Sequence, residues 1–338
     1  MTYTELLEQA RKNMDGYCLA CPECNGAACK NKIPGPGGKG TGGVFRRNFE
    51  KLQEIKINLD TLYDGEPTDT SVELFGRTFR YPVFAAPIGA MKLHYGHLHD
   101  DLSYNAELVE GCCSAGIAAF TGDGIDPQVY GGALESIRNA GGVGIPTVKP
   151  WDVGLMKEKI RMAEAAGAIA VATDVDASGL ALLKNVPTPV SPKTVTELGE
   201  VVASTRLPVV VKGIMTVRGA LKALEAGAYG IVVSNHGGRV LDQTPATVEV
   251  LPEIAQAVQG RMKIFIDGGI RTGLDVFKVL ALGADAALIG RPFVTAVYGG
   301  GAAGAVLYAE KVGGELAETM AMAGANRLSD IGRDMVWL

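Results

Sequence analysis

Short apolar runs recur through most of the chain, and this repetition limits the possible folds more than any other feature. The runs are Val83–Ala86, Ile117–Phe120, Val143–Val148, Ala168–Thr173, Pro208–Val211, Gly230–Val233, Lys263–Ile266 and Ala286–Ile289. Apolar runs of about four residues that alternate with helical segments are typical of buried parallel strands. Eight strand–helix repeats predict an α/β fold of the (β/α)8 or TIM barrel type, since a doubly wound sheet usually has fewer strands and a recognisable point of reversal.

The segments between most of these runs are long enough for helices. Predicted helices span Leu102–Ala115, Gln128–Asn139, Val153–Ala166, Val195–Ser204, Val217–Ala226, Pro245–Val258 and Leu274–Leu282, and two more follow at Gly299–Val312 and Glu315–Ala323. Glycine follows several of these helices, where a left-handed residue commonly ends a helix before the next strand. These glycines are Gly116, Gly167, Gly227 and Gly283.

The first 81 residues lack this repetition, so we divide the chain into an N-terminal region, 1–81, and a barrel with C-terminal helices, 82–338. The N-terminal region contains a predicted helix over 1–16, a cysteine-rich stretch, the glycine-rich stretch Pro34–Gly43, a helix over Arg46–Lys56 and a hairpin over Thr70–Phe79. Pro34–Gly43 lacks the preceding strand of a P-loop, so we interpret it as a linker or as a loop close to a ligand. We expect the hairpin to cover one end of the barrel.

Composition excludes several classes of protein. With 338 residues, 47% of them hydrophobic, the chain can bury a full core, and a net charge of −5 disfavours nucleic acid as a partner. The N-terminus has no apolar stretch of signal-peptide length, and we expect no membrane span because no segment approaches about 20 uninterrupted apolar residues. These features predict a cytoplasmic protein, in which cysteines are thiols or metal ligands rather than disulfides.

Four cysteines stand close together near the N-terminus, at Cys18, Cys21, Cys24 and Cys29. Thiolates two residues apart in a turn-rich loop can converge on one ion or cluster. The spacing therefore predicts an iron–sulfur cluster or a zinc ion and does not separate the two. A cysteine-rich loop that binds no metal is the alternative.

Polar residues follow the later apolar runs, at the carboxyl ends where barrel enzymes place their chemistry. Glycines and arginines after the last two runs, in Asp267–Arg271 and Gly290–Arg291, predict a phosphate site, although both arginines could instead form ion pairs at the barrel rim. Lys212 ends an apolar strand, where an ammonium group needs an anion or an acceptor. His236 and Arg239 together suit a base beside a carboxylate anchor.

These motifs resemble the FMN-dependent α-hydroxy-acid oxidase and dehydrogenase family, which includes glycolate oxidase and lactate oxidase. The resemblance rests on Lys212-Gly213, Ser234 to Asp242, Asp267 to Arg271 and Gly290 to Pro292, and more weakly on Ala86 to Met91. It implies a barrel that binds FMN through Pro87, Ile88, Gly89, Ala90, Thr121, Lys212 and Ser234. Six further residues would surround the FMN phosphate: Asp267, Gly268, Gly269, Arg271, Gly290 and Arg291.

The same resemblance implies catalytic roles. Lys212 would stabilise the anionic reduced flavin, and His236 would remove a proton from the substrate. Arg239 would hold the substrate carboxylate, and Asp176 would support His236 as it becomes charged. The implied reaction is the oxidation of a small (S)-2-hydroxy acid, similar to lactate or glycolate, to the 2-oxo acid.

The chain also departs from the family pattern. The tyrosine expected near Gly144–Trp151 is absent, a second carboxylate-binding arginine is missing from Ala181–Lys184, and only 36 positions separate Asp176 from Lys212. Lys149 or Lys39 could supply the missing positive charge. The histidines His94, His97 and His99 are interpreted as polar loop residues near the flavin rather than as metal ligands.

The sequence does not identify the electron acceptor. Oxygen would make the protein an oxidase, whereas a cluster on the four cysteines would suit a dehydrogenase that passes single electrons to a redox partner. The alternatives are an isomerase resembling type 2 isopentenyl diphosphate isomerase, against which His236 and Arg239 argue, and a flavin- and metal-binding redox sensor without turnover. The resemblance also implies a homotetramer.

Overall fold

The strands form a closed parallel barrel, as predicted. A computed structural model describes residues 1–180, 183, 186 and 189–338. Within these residues, the sheet has eight strands in the order β4-β11-β10-β9-β8-β7-β6-β5, and a parallel bridge between Ala85 and Ala119 closes it. The strands of the protein are β1 Lys56–Ile57, β2 Val72–Leu74, β3 Arg77–Phe79, β4 Val83–Ala85, β5 Phe120–Thr121, β6 Ile145–Val148, β7 Val171–Asp174, β8 Val209–Ile214, β9 Gly230–Val233, β10 Lys263–Ile266, β11 Ala286–Ile289 and β12 Val336–Trp337.

Helices cover the outside of the barrel, which explains why its strands are apolar on both faces. They are α1 Tyr3–Asn13, α2 Gly43–Glu54, α3 Met91–His94, α4 Asp101–Ser114, α5 Pro127–Asn139, α6 Val153–Ala165, α7 Val195–Val202, α8 Val217–Glu225, α9 Thr247–Val258, α10 Gly273–Ala281 and α11 Arg291–Ala323. Gly116, Gly167, Gly227 and Gly283 all have positive φ, between 77° and 103°, just after a helix. The predicted helix ends are therefore confirmed at these glycines.

Aromatic side chains fill the barrel interior and connect it to the β2–β3 hairpin. Phe84, Phe120 and Phe265 are fully buried inside the barrel. Phe75, at the hairpin turn, stacks on Phe265 with ring centroids 5.7 Å apart, and its backbone N–H donates to the Tyr229 hydroxyl at 3.2 Å. Because Tyr229 precedes β9, the hairpin covers the amino end of the barrel and leaves the carboxyl end for ligands.

The C-terminal helices differ from the prediction. The structure has one long helix, α11, whose only backbone break within the described residues lies at Gly300 and Gly301 rather than at Gly313 and Gly314. Gly313 lies inside the helix, and its lack of a side chain permits close packing, since a Cβ there would lie 2.2 Å from the Tyr81 ring. By length and composition α11 could cross a membrane, but 67% of its most apolar window is buried, and it packs as a core helix against α1, α4 and α10.

Between α1 and α2 the chain forms turns without regular secondary structure over residues 14–42, which we call the Cys/Gly segment. It lies on the carboxyl end of the barrel, where the Lys39 backbone N–H donates to the Gly238 carbonyl at 2.7 Å. The predicted glycine-rich loop thus contacts the loop that carries His236.

Candidate active site

A cavity of about 880 Å³ opens at the carboxyl ends of the barrel strands. It is lined by loops after β4, β5, β6, β9, β10 and β11 and by residues 31–40 of the Cys/Gly segment. Its size falls within the range of ordinary cofactor pockets. Lys212, His236, Arg239, Arg271 and Arg291 all line it, so the structure brings together residues that the sequence places up to 79 positions apart.

Lys212 is a buried cation with fixed partners. Its Nζ donates to Ser234 Oγ at 2.8 Å and lies 3.1 Å from Asp267 Oδ2. Burial lowers the pKa of Lys212, but the carboxylates of Asp267, Asp176 and Asp174 outweigh that effect and hold the pKa above its ordinary value. The side chain therefore remains an ammonium group at the wall of the cavity.

His236 and Asp176 form the acid–base pair that the sequence predicted to lie together. His236 Nδ1 is 3.0 Å from Asp176 Oδ1, and both side chains are largely buried. Burial raises the pKa of Asp176, but His236, Lys212 and Lys149 together lower it below its ordinary value. Since the carboxylate accepts the proton of Nδ1, the Nε2 atom of neutral His236 carries the lone pair and can act as a base.

A second carboxylate, Asp174, stands beside this pair and was missed by the sequence analysis. Its Oδ2 lies 2.5 Å from Lys149 Nζ, and the ligand atoms of Asp174, Asp176 and His236 lie within 4.8 Å of one another. Because Lys149 already pairs with Asp174, and His236 with Asp176, we interpret the group as two ion pairs rather than as a metal site. The predicted strand ended at Thr173, one residue too early to show Asp174 at the rim.

Three arginines line the cavity with uncompensated charge. Among the described residues, no carboxylate oxygen lies within 4.0 Å of Arg239, Arg271 or Arg291, and the six remaining residues carry no carboxylate. Ion pairs at the barrel rim, the alternative considered from the sequence, are therefore not what positions these side chains. Half-buried guanidinium groups without a counter-ion favour anionic ligands such as phosphate and carboxylate.

Backbone carbonyls of the Cys/Gly segment hold these arginines instead. Arg291 donates to Pro36 O at 2.7 Å and Gly37 O at 3.2 Å, and its guanidinium lies 3.7 Å over the Phe45 ring. Arg239 donates to Gly35 O and Gly37 O at 2.9 and 3.0 Å, and Arg271 donates to Cys24 O at 2.8 Å. Each guanidinium has five N–H donors, so each keeps donors for a ligand.

His94 links the barrel to this segment. Its Nδ1 is 3.0 Å from the Gly35 backbone nitrogen, and its Nε2 is 3.2 Å from Arg239. A neutral imidazole has one acceptor nitrogen, so His94 accepts from one of these two donors at a time. Burial and the nearby Arg239 charge lower the pKa of His94 to about 4, which keeps the ring neutral.

The other residues assigned to the cofactor have mixed environments. Pro87, Ile88, Gly89, Ala90 and Gly290 line the cavity, and Thr121 is buried at the end of β5 with its hydroxyl unpaired among the described residues. Gly269 has a φ of +84°, and a Cβ there would lie 2.1 Å from Asn48 O of α2. Glycine at this position thus permits a close approach of α2, a contact that no pattern in the sequence indicates.

The donor set of the cavity fits FMN. Arg271 and Arg291 suit a phosphate, and Lys212 suits the electron-rich carbonyl edge of a flavin ring. Asp267 is a carboxylate and repels phosphate, but its buried Oδ1 has no partner among the described residues and can accept from a sugar-alcohol hydroxyl. Its side chain therefore fits the ribityl chain better than the phosphate position that the resemblance implied.

The four N-terminal cysteines lie outside this cavity. Cys18, Cys21, Cys24 and Cys29 are free and half-buried thiols. No three of their sulfurs lie within 4.8 Å of one another in the described chain, whereas a tetrahedral zinc site with bonds of about 2.3 Å would bring them closer. His94, His97 and His99 likewise form no such group there. The stretch Ala181–Lys184, where the second arginine is missing, lies outside the described residues except for Leu183.

Comparisons with known proteins agree with the barrel fold. A family model described as FMN-dependent dehydrogenase matches residues 36–185 and 188–338. A structure of a mandelate oxidase variant has a TM-score of 0.82 and 30% identity, covering 98% of this chain and 97% of that one. A second mandelate oxidase structure, which contains an FMN adduct, has a TM-score of 0.80 and 31% identity, covering 97% of both chains.

Curated relatives match over a shorter part of the chain. A peroxisomal (S)-2-hydroxyacid oxidase of Arabidopsis thaliana is 51% identical over 132 residues, which are 39% of this chain and 36% of the relative. An L-lactate dehydrogenase of Stenotrophomonas maltophilia is 52% identical over 127 residues, 38% of this chain and 34% of the relative. These matches span about a third of each relative. Because the family model covers nearly the whole sequence, the chain belongs to the FMN-dependent dehydrogenase family.

Proposed function

We propose that this protein uses FMN to oxidise a small (S)-2-hydroxy acid to the corresponding 2-oxo acid. One observation carries the proposal: His236, oriented by Asp176, and Arg239, which lacks a carboxylate partner among the described residues, line the same cavity. A base beside a carboxylate anchor is the arrangement that this substrate class requires. The names of the relatives, which include 2-hydroxyacid oxidase and L-lactate dehydrogenase, support the same class.

Arg239 binds the substrate carboxylate in this proposal. Contacts to Gly35, Gly37 and His94 engage at most three of its five N–H donors and leave at least the Nε–H and one Nη2–H. Two donors on one guanidinium can hold both oxygens of a carboxylate, which fixes the substrate in orientation as well as position. Oriented binding removes much of the entropic cost of the following step.

His236 then removes a proton through its free Nε2. Asp176 stays ionised, because its pKa lies below the ordinary value, and it stabilises the imidazolium that forms. The flavin, when bound, supplies the acceptor for the two electrons that leave the substrate. Lys212, held as an ammonium group by Asp267, stabilises negative charge that develops at the wall of the cavity.

The test is an anaerobic visible spectrum of FMN-loaded protein before and after addition of glycolate, L-lactate or (S)-mandelate. We expect at least one acid to bleach the oxidised flavin bands. We also expect His236→Gln to bind FMN but to bleach at least about 10²-fold more slowly, since a positioned base contributes that much. Flavin that stays oxidised with every acid would contradict the proposal, and so would unchanged bleaching in His236→Gln.

A further inference from the structure

All four N-terminal cysteines line a second cavity, of about 440 Å³, which we call the Cys cavity. No disulfide joins them. The sequence spacing alone left open whether these thiols share a site. That they line one cavity is a separate observation, because the two-residue spacings fix only neighbouring pairs, and the fold of residues 25–28 brings Cys29 to the same cavity.

The spacing of the sulfurs indicates which group fits. A single zinc ion would draw the thiolates within about 4 Å of one another, because every sulfur binds the same ion. A four-iron cluster holds them farther apart, because each thiolate binds a different iron. No three of these sulfurs lie within 4.8 Å of one another in the described chain. The thiols are therefore not already closed around one ion, and a cluster does not require them to be.

The surroundings of the Cys cavity suit an anion. Five cationic side chains line it, against two carboxylates, Glu23 and Asp275. The cations are Lys32, Arg271, Lys278, Arg291 and Lys311. A cluster with four thiolate ligands carries net negative charge, and positive side chains around a desolvated site stabilise it.

The Cys/Gly segment has no regular secondary structure, and its four cysteines line a cavity. Residues 14–42 have no helix or strand, and structureless connections of this length are usually functional when they are not linkers. Cationic side chains hold its carbonyls: Arg11 donates to Leu19 O at 2.8 Å, Lys32 to Gly16 O at 2.8 Å and Arg271 to Cys24 O at 2.8 Å. The ordered loop thus presents its thiols inward.

The Cys cavity shares a wall with the cavity at the carboxyl end of the barrel, which we call the flavin cavity. Arg271, Arg291 and Tyr95 line both spaces. A Cβ on Gly26 would lie 2.9 Å from the Phe45 ring, and the Arg291 guanidinium lies 3.7 Å from the centroid of the same ring. The Phe45 ring and the Arg291 guanidinium therefore connect the Cys/Gly segment to the flavin cavity.

We propose that Cys18, Cys21, Cys24 and Cys29 bind a four-iron, four-sulfide cluster in the Cys cavity, and that this cluster carries electrons away from reduced FMN. The second half rests on the proposed function. Oxidation of one hydroxy acid releases two electrons and two protons. The electrons pass through the cluster one at a time to two equivalents of an external one-electron acceptor of higher reduction potential, and the protons go to solvent.

The cluster is tested on protein purified without oxygen by measuring iron, acid-labile sulfide and zinc. We expect about four iron atoms and four sulfides per chain. Single serine variants, such as Cys21→Ser and Cys24→Ser, should lose most of the iron and keep FMN, whereas Cys113→Ser, a cysteine on α4 outside the cavity, should keep both. One zinc per chain, no metal in the wild type, or iron that survives in every variant would overturn the proposal.

The electron path is tested by electron paramagnetic resonance after the flavin is reduced anaerobically, once with hydroxy acid and once by light. A reduced-cluster signal should appear in the wild type and not in Cys24→Ser. A flavin that bleaches while the cluster stays oxidised would overturn the path. If only light reduces the flavin and the cluster then follows, the path stands and the proposed hydroxy-acid activity fails.

Discussion

The barrel rim and the Cys/Gly segment face the same cavity, but different interactions hold them. On the rim, charged side chains pair with each other: Lys212 with Asp267, His236 with Asp176 and Lys149 with Asp174. The Cys/Gly segment contributes backbone carbonyls, which accept from arginines of the barrel loops. These three pairs on the rim are therefore formed without the segment, whereas the segment depends on arginines that are unpaired among the described residues and also suit the ligand.

This difference has a consequence for the anionic ligands. The three barrel arginines that hold the segment, Arg239, Arg271 and Arg291, also line the flavin cavity. Docking of the segment and binding of phosphate or carboxylate thus use different donors of the same three side chains. We expect mutations on the rim to affect chemistry first, and mutations at the contact between the two regions to affect order of the segment first.

The largest effect is expected when the pairing on the rim is broken. Asp176→Asn removes the charge that orients His236 and stabilises its protonated form, so substrate-driven flavin reduction should slow by about 10³-fold. Stopped-flow absorbance measures this rate, and FMN content should not change. A rate within tenfold of the wild type would mean that His236 does not act with Asp176.

The next effect concerns His94, which stands between the two regions. The pKa of His94 is about 4 in the folded protein and 6.5 in the unfolded chain. Between these pH values His94 is therefore protonated in the unfolded chain and neutral in the folded protein. His94 therefore makes the free energy of unfolding fall as the pH drops from 6.5 to 4, by at most about 3 kcal/mol.

Urea unfolding of His94→Gln at several pH values tests this dependence. The variant should lose part of the decline on the acid side, because glutamine does not titrate. His97→Gln, at an exposed position nearby, is the control and should follow the wild type. Identical slopes for all three proteins would show that burial of His94 has no effect on stability.

A smaller effect is expected at the contact itself. Arg291→Lys loses the planar contact with Phe45 and the carbonyl bonds, which together contribute about 2 kcal/mol to docking of the segment. With excess FMN, trypsin should cut at the exposed Lys30 or Lys32 roughly 30-fold faster, because cleavage follows the open population. Arg47→Lys, in an exposed pair with Glu249, should change cleavage little.

The smallest effect is expected at the two lysines that could replace the missing second carboxylate-binding arginine. Lys149 is neutralised by Asp174 at 2.5 Å, whereas Lys39 donates to the carbonyls of Val240 and Gly179 at 2.7 and 3.5 Å. Lys39→Met should therefore raise the KM for the hydroxy acid about tenfold, close to 1.4 kcal/mol, with little change in kcat. An unchanged KM would remove Lys39 from the substrate site.

Much of the barrel could be predicted from the sequence. The bounds of β9, β10 and β11 match the predicted runs, and the polar residues after them do line one cavity. This success has a local cause, because a buried parallel strand is a short apolar run whose end is marked by a polar residue. Asp174 was missed because a boundary error of one residue hides a side chain that sits at a strand end.

The relation between the two regions could not be predicted in the same way. Arg291 meets Pro36 across 255 positions and Arg239 meets Gly35 across 204, and neither partner is marked by its side chain because the acceptors are backbone carbonyls. The close approach of α2 to Gly269 could not be predicted from the sequence either, since a glycine can indicate a turn, a nearby ligand or a neighbouring helix.

The sequence by itself determined the barrel, the end of the barrel that carries the chemistry, and the family, because each is written in short runs of neighbouring residues. Only the tertiary structure decided which carboxylate neutralises Lys149, what holds the three arginines, and that Cys29 joins the other three cysteines at one cavity. These depend on contacts between distant parts of the chain, and their partners are set by how the helices and loops pack rather than by any local pattern.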